Sequence, residues 1–387
     1  MQKIFSLICC FLITACQQER ASMTLSQNFS SSLNTVNETQ LSKEIGQMIM
    51  IGFQGTKLTD PEVQETLQLA REGKIGGVIF FGYNIVNPQQ VKKLTAAFRQ
   101  VQPSLLIAID QEGGKVQRLS ARNGFKNFPS AKEIADTHLP MEAYQAYLKM
   151  ARMIKSAGFN LNFAPVVDLH ADMMGNENPV IGKLERSYSS HINKVIDYST
   201  VFIKAHRQIG VLTSLKHFPG HGYAREDSHK GMVDITTTSH PQEQDVFYRL
   251  IADGLADTIM VGHLIHQQWD PEYPATLSSH ILKNYLRKRT KYEGVLITDD
   301  LHMGAIGKQY GLEETVLQAI RAGNDILLFS NNKAAAQGVK NFKASTSLAH
   351  KLHVLIMNAI QERKLSISQI TDAFFRIETL KKQFFSM

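Results

Sequence analysis

Only 3 of the 387 residues are cysteine, and all stand in the first 16 positions, as Cys9, Cys10 and Cys16. No disulfide can therefore form within the rest of the chain, and a protein of this size can be stable on core burial alone. Proline is also sparse, with 11 residues against 25 glycines and a single tryptophan, which excludes collagen-like and low-complexity organisations. No stretch after Ala15 approaches 18 consecutive apolar residues, so no transmembrane helix is expected. Charge of one sign is missing too: 42 basic and 35 acidic residues leave a formal charge of +7, spread along the chain. The one basic cluster, Arg287-Lys288-Arg289-Thr290-Lys291, reads as a solvated helix end, and no nucleic-acid partner is expected. What remains is 43% hydrophobic and 20% charged, an ordinary globular composition. Length alone allows two or three domains of ~150 residues, but α/β barrels exceed ~250 residues as one unit.

The amino terminus is set apart. Residues 4–15 form an apolar run behind Lys3, too short to span a ~30 Å hydrocarbon core but suited to a secretory leader. Directly after it, Ile13-Thr14-Ala15-Cys16 resembles a bacterial lipoprotein box, where cleavage before the cysteine is followed by its acylation. The resemblance implies removal of residues 1–15 and a lipid anchor on Cys16, with several acyl chains giving stable membrane attachment. Export to the periplasmic side is thus expected. Gln17 stands where an Asp commonly retains lipoproteins at the inner membrane, which favours the outer one. Residues 16–38, rich in Ser, Asn, Gln and Thr, read as a tether, leaving 39–387 as the folded domain.

From Glu38 onward short apolar runs alternate with amphipathic stretches. Runs at 48–53, 77–81, 105–110, 161–168, 211–216, 258–262, 294–299 and 325–330 have the continuous apolar character of strands buried on both faces, as in parallel sheets. Helical periodicity fills the intervals, at 141–157, 192–208, 277–289 and 312–322, with Gly158, Gly210 and Gly323 as stops. Eight strand candidates with intervening helices predict a single (β/α)8 barrel, and no glycine-rich dinucleotide fingerprint follows the first strand. Two further helices, 344–361 and 368–385, are expected to close the chain; Ile370, Phe374, Ile377, Leu380 and Phe384 form a packing face on the last.

In such a barrel, function gathers at the carboxyl ends of the strands. Here those ends carry Asp110, Asp168, Lys216 with His217, His263 and Asp299. An ionisable group there can face the axial pocket, whereas mid-strand it would be a buried unpaired charge. The densest segment is Lys216-His-Phe-Pro-Gly-His-Gly222, followed by Asp227-Ser-His229. Its Pro and Gly residues make it a loop, so His217 and His221 are not a helical metal-binding pair. Two readings of the segment stand: a zinc site from His217, His221, Asp227 and His229, or a loop presenting His229 as a proton donor oriented by Asp227. In Thr298-Asp299-Asp300, alternation lets only one carboxylate face the barrel axis, where it suits attack on an anomeric carbon.

These residues carry a resemblance to the β-N-acetylglucosaminidases of glycoside hydrolase family 3. The matching motifs are Asp110-Gln-Glu-Gly-Gly-Lys-Val-Gln-Arg118, Asn178-Pro-Val-Ile-Gly182 with Arg186-Ser187, Lys216 to Gly222, Asp227-Ser-His229 and Thr298-Asp-Asp300, in the expected order from about residue 40 onward. The resemblance implies a hydrolase that removes non-reducing terminal β-linked N-acetylglucosamine with retention, needing no metal and no organic cofactor; a monomer is expected. It implies Asp299 as nucleophile, and His229 with Asp227 as acid/base. It also implies Asp110, Arg118, Arg186, Lys216 and His217 as the grip on the sugar. The chain departs from the family pattern where Lys183-Leu-Glu185 separates Gly182 from Arg186. Too few residues follow Ser330 for the second α/β domain that many members have. The rival activities are transfer of the sugar to phosphate, metal-dependent hydrolysis, and glycan binding without turnover by a wall-binding lipoprotein. The expected glycans are peptidoglycan-derived fragments or chitooligosaccharides.

Overall fold

In the computed structural model, residues 38–170, 178–339 and 342–385 are described. The expected leader, Cys16 and nearly all of the tether lie outside the described residues.

Eight parallel strands form one sheet: β1 Ile49–Gly52, β2 Gly77–Phe80, β3 Leu106–Ile109, β4 Leu161–Asn162, β5 Leu212–Phe218, β6 Thr258–Val261, β7 Val295–Thr298 and β8 Leu327–Phe329. Each strand from β1 to β6 pairs with its successor in sequence, and β8 returns to pair with β1. A parallel bridge between Ile297 and Ile326, with Thr298 N–H donating to the Ile326 carbonyl at 3.0 Å, joins β7 to β8 and closes the barrel. Every residue of these strands is buried, which is why the runs are apolar without alternation. The expected (β/α)8 barrel is the fold.

Around it lie α1 (38–47), α2 Pro61–Arg71, α3 Pro88–Val101, α4 Ala131–Thr137, α5 Pro140–Ser156, α6 Ile192–Ile209, α7 Pro241–Ala252, α8 Leu312–Ala322, α9 Leu348–Gln361 and α10 Ile367–Phe385. Local chemistry sets their ends. Pro140 begins α5, where its missing N–H costs nothing, and Glu142 accepts the Leu139 N–H at 2.8 Å. Gly158, Gly210 and Gly323 all take positive φ (+95°, +71° and +98°) just beyond α5, α6 and α8, as the stop signals predict.

Three expected elements differ. The run 161–168 keeps ladder geometry only at Leu161–Asn162, because Pro165 has no N–H to donate; Val166 still bridges to Lys216, and Asp168 reaches the carboxyl end as coil. The helix expected over 277–289 is a 3-10 turn at Ala275–Leu277 followed by a π-helical stretch, Ile281–Arg287. The helix expected from Ala344 begins at Leu348.

The opposite, amino-terminal face of the barrel is closed by α10. There Thr371 Oγ1 donates to Glu44 at 3.1 Å, Lys381 donates to Gln47 at 2.5 Å, and Ile370, Ala373 and Ile377 are buried. Asp325 ties the same face together by accepting from Arg287 (2.8 Å), Arg376 (2.9 Å) and the Leu296 N–H (2.7 Å). Arg287, read from sequence as part of a solvated cluster, is thus a structural residue. Arg289 of that cluster lies 4.7 Å over the Tyr248 ring.

Candidate active site

At the carboxyl ends of the strands, the side chains of Asp110, Glu112, Arg118, Arg186, Lys216, His217, His229 and Asp299 line a single cavity of about 280 Å³. All eight of the residues expected to touch the substrate or hold the acid/base are in or beside it: seven line it, and Asp227 stands behind His229.

One wall is an ion-pair network. Asp110, just past β3, accepts from Arg118 Nη2 and from Lys216 Nζ, each at 3.1 Å. Lys216, near the carboxyl end of β5, also donates to Glu112 Oε1 at 2.8 Å. Glu112 takes Arg186 in two-pronged fashion, Nε on Oε2 at 2.8 Å and Nη2 on Oε1 at 2.9 Å. Burial pushes both carboxyls up, but the facing cations win: Asp110 is held below its usual range and Glu112 falls to about 2. Glu112 was not a candidate from sequence, although it sits in the Asp110 motif. Its position two residues after Asp110, where an extended chain returns to the same side, was the available signal.

The extra residues before Arg186 do not displace it. They lie in a turn closed by Glu185 N–H on the Gly182 carbonyl (2.8 Å) and Arg186 N–H on the Ile181 carbonyl (3.0 Å), and Arg186 Nη1 donates to Val180 O at 3.0 Å.

Asp168, fully buried, organises the histidine loop. It accepts the His217 Nδ1–H at 2.7 Å, and the backbone N–H groups of His217 (3.0 Å) and His221 (2.9 Å). Burial alone would raise its carboxyl, yet the His217 contact holds it low. His217 thereby turns Nε2 toward Arg186, 3.5 Å away. Asn178 pins the same loop by donating to the carbonyls of His221 (2.7 Å), Gly222 (3.1 Å) and Ala224 (2.8 Å). Burial drops His221 to about 4, so it is neutral, with Nε2 against Ser228 Oγ at 3.3 Å. Among the described residues no group of three His, Cys, Asp or Glu side chains is arranged to hold a metal ion, so the four-residue zinc arrangement does not assemble.

His229 and Asp299 complete the site. Asp227 Oδ1 accepts from both the backbone N–H and Nδ1 of His229, each at 2.9 Å, leaving Nε2 as the nitrogen for proton transfer. The His229 side chain is 45% exposed, so a substrate can reach it. Asp299 follows β7 directly and accepts the Asp300 N–H at 2.8 Å. Its burial favours the neutral acid, but His263 and His217 hold its carboxyl below the usual range. Asp300 is the reverse case: it accepts from Ser330 N–H (2.8 Å) and His302 N–H (3.1 Å), and burial pushes its carboxyl up. Strand alternation left the choice between them open; the facing histidines favour the carboxylate form at Asp299, while burial disfavours it at Asp300. His263, expected at a strand end, is fully buried between Thr276 Oγ1 (2.8 Å) and the Asp300 carbonyl (2.9 Å), and supports the turn.

A parallel barrel whose carboxyl end holds a low-lying carboxylate, a carboxylate-backed histidine and a cationic wall is an enzyme site, and comparison with known proteins gives its class. A β-hexosaminidase of Pseudomonas aeruginosa is 36% identical over 293 residues, covering 75% of this chain and 84% of its own. One from Haemophilus influenzae is 34% identical over 311 residues, covering 78% and 85%. The structure of a glycoside hydrolase family 3 β-N-acetylglucosaminidase from a Paenibacillus strain superposes with a TM-score of 0.78 at 32% identity, over 89% of this chain and 62% of that longer one. A β-N-acetylhexosaminidase from Beutenbergia cavernae gives 0.75 at 28%, over 88% and 98%. The chain is a barrel glycosidase of the β-N-acetylhexosaminidase type. The family described as glycosyl hydrolase family 3 N terminal domain matches residues 40–379, and the chain belongs to it.

Proposed function

We propose that the enzyme is an exo-acting, retaining β-N-acetylglucosaminidase that removes non-reducing terminal N-acetylglucosamine from peptidoglycan-derived or chitooligosaccharide glycans. The observation that supports this most is the placing of Asp299, held ionised, and His229, backed by Asp227, on one cavity of about 280 Å³.

In the first step an Asp299 oxygen attacks the anomeric carbon while the glycosidic C–O bond breaks, and His229 passes the Nε2 proton to the leaving oxygen. In the second, His229 takes a proton from water, whose oxygen attacks the same carbon and frees Asp299. Two inversions give retention. Asp227 orients the ring and steadies the imidazolium. Asp110, Arg118, Arg186, Lys216 and His217 supply the charged donors and acceptors that grip the hydroxyls and acetamido group, and Glu112 holds Arg186 and Lys216 in place.

The test is release of the aryl group from an aryl β-N-acetylglucosaminide by the purified enzyme, with chelator present and phosphate absent. Turnover that Asp299→Ala abolishes, in a variant with an unchanged thermal midpoint, is the expected result. A requirement for phosphate with N-acetylglucosamine-1-phosphate as product would replace this reading with phosphorolysis. Loss of activity in chelator would replace it with a metalloenzyme, and binding without turnover with a glycan-binding protein.

A further inference from the structure

The loop that carries Asp227 and His229 is tied at two places. Its outgoing end is fixed by a short parallel ladder between Val233–Asp234 and Leu264–Ile265, which joins it to the loop after β6. Its middle rests on the turn that follows the nucleophile. Ala305 N–H donates to the Ser228 carbonyl at 3.1 Å, and Lys308 Nζ donates to the Lys230 carbonyl. Gly304 stands between these contacts. A Cβ on Gly304 would lie 2.6 Å from the His229 carbonyl oxygen and 2.7 Å from the Gln337 carbonyl oxygen, closer than real Cβ contacts come. Three loops, those after β5, β7 and β8, therefore meet at the one residue whose side chain is missing.

We infer that Gly304, with the Ala305 N–H, is the seat that positions the His229–Asp227 pair against Asp299, so that the distance between acid/base and nucleophile is set by backbone packing within the site. The inference rests on the roles proposed above for His229 and Asp299. The chemistry behind it is direct. Gly304 opens the four-residue helix Gly304–Gly307, five residues after Asp299, so the turn that presents the nucleophile also presents the Ala305 N–H. The Ser228 carbonyl that receives this N–H belongs to the residue between Asp227 and His229. One hydrogen bond and one van der Waals contact thus join the two halves of the catalytic pair. A methyl group at 304 must push the His229 carbonyl outward, and the imidazole with it. Proton delivery tolerates little displacement, because a general acid has to stand within hydrogen-bond reach of the leaving oxygen. Gly304 is accordingly a positioning residue.

Leaving-group dependence isolates this role, because a 2,4-dinitrophenolate leaves without a proton whereas a sugar alkoxide needs one. For the full chain and for Gly304→Ala, kcat/KM is measured on 2,4-dinitrophenyl β-N-acetylglucosaminide and on chitobiose. The expected result is a loss of about tenfold or more on chitobiose. On the dinitrophenyl substrate less than about threefold is lost, since only the acid's contribution is removed. The thermal midpoint falls modestly, because the methyl group must displace two backbone carbonyls, and a single cooperative transition well above the assay temperature shows that the fold persists. Ala305→Pro is the second variant. Proline is accepted in the first turn of a helix and removes the N–H that Ser228 uses, while restricting the backbone of Gly304 before it, so the same split is expected. His229→Ala is the reference. If His229→Ala shows the split and both seat variants retain chitobiose activity, the seat is overturned while the catalytic roles stand. If His229→Ala itself loses both substrates equally, the assignment of the acid/base fails first. Equal losses on both substrates in the seat variants would show general damage and also overturn the inference.

Discussion

Glu112 shows how much one carboxylate can organise. It is buried, it accepts from Arg186 at two positions, and it shares Lys216 with Asp110. Removing it leaves the buried Arg186 without an acid partner and Lys216 with Asp110 alone. Breaking a buried pair by deleting one partner costs roughly 3–5 kcal/mol, whereas an exposed pair contributes about 0–1. Glu112→Ala is therefore expected to lose stability of that order in urea unfolding, and to raise KM for an aryl β-N-acetylglucosaminide as Arg186 and Lys216 lose their orientation. Lys132→Ala, which removes an exposed partner of Asp136, is the contrast and should change stability by less than about 1 kcal/mol. Equal effects of the two substitutions would show that the wall is not a network.

At the scale of elements, α6 and β4 meet through His206. Its Nδ1–H donates to the Phe202 carbonyl at 2.9 Å and its Nε2 accepts from Asn162 at 3.2 Å, an arrangement that only the neutral ring satisfies. Asn162 in turn accepts the Gln111 N–H at 2.9 Å, so the histidine supports the start of the substrate wall. Burial lowers His206 from 6.5 to about 4. The unfolded chain thus binds this proton more readily than the fold does. The contribution is complete above pH 6.5 and is lost as pH falls toward 4, a change on the order of 3 kcal/mol. His206→Phe keeps the stack on Phe202 but has no proton to gain. The gap between the thermal midpoints of wild type and variant should be widest near pH 7 and narrow steadily to pH 4. A constant gap would contradict the assignment.

For the whole molecule, the barrel separates two kinds of buried charge. Asp110, Lys216, His217 and Asp299 stand at the carboxyl ends of strands and line the cavity, while Asp325 precedes β8 and binds Arg287 and Arg376 at the other end. Both sets are buried, and only their end of the barrel tells catalysis from support. Anchoring is the remaining property at this scale. The leader and Cys16 motif support a proposal that the enzyme is exported and held to a membrane by acyl chains, the outer membrane being favoured. The proposal predicts that the chain sediments with membranes after high-salt washing, and that replacing residues 1–16 by a secretory leader cleaved without acylation releases it to the soluble fraction with hydrolysis intact. A variant that still sediments would remove the lipid anchor from the account.

Much of this was legible along the chain. Eight apolar runs, the amphipathic intervals between them and three helix-stopping glycines follow from near-neighbour physics, since burial on two faces demands apolar residues and left-handed φ favours Gly. The strand-end placing of Asp110, Lys216, His217 and Asp299 and the Asp227–His229 loop motif were readable for the same reason, whereas Arg118 and Arg186 were named only through the family resemblance. The rest depended on residues distant in sequence. Pro165 interrupts β4 although the run around it is apolar, and residues 281–287 wind as a π-helix despite their helical spacing. Glu112 meets Arg186 only because β3 and the loop after β4 are neighbours around the barrel. Asp299 is held low by His263 and His217 while burial pushes Asp300 up, a difference that no local pattern contains. Local sequence determined which segments would be strands and helices and which polar residues would stand at their ends. Barrel closure decided which of those charges share a low-dielectric cavity, where every pairing is strong and every unpaired group is costly.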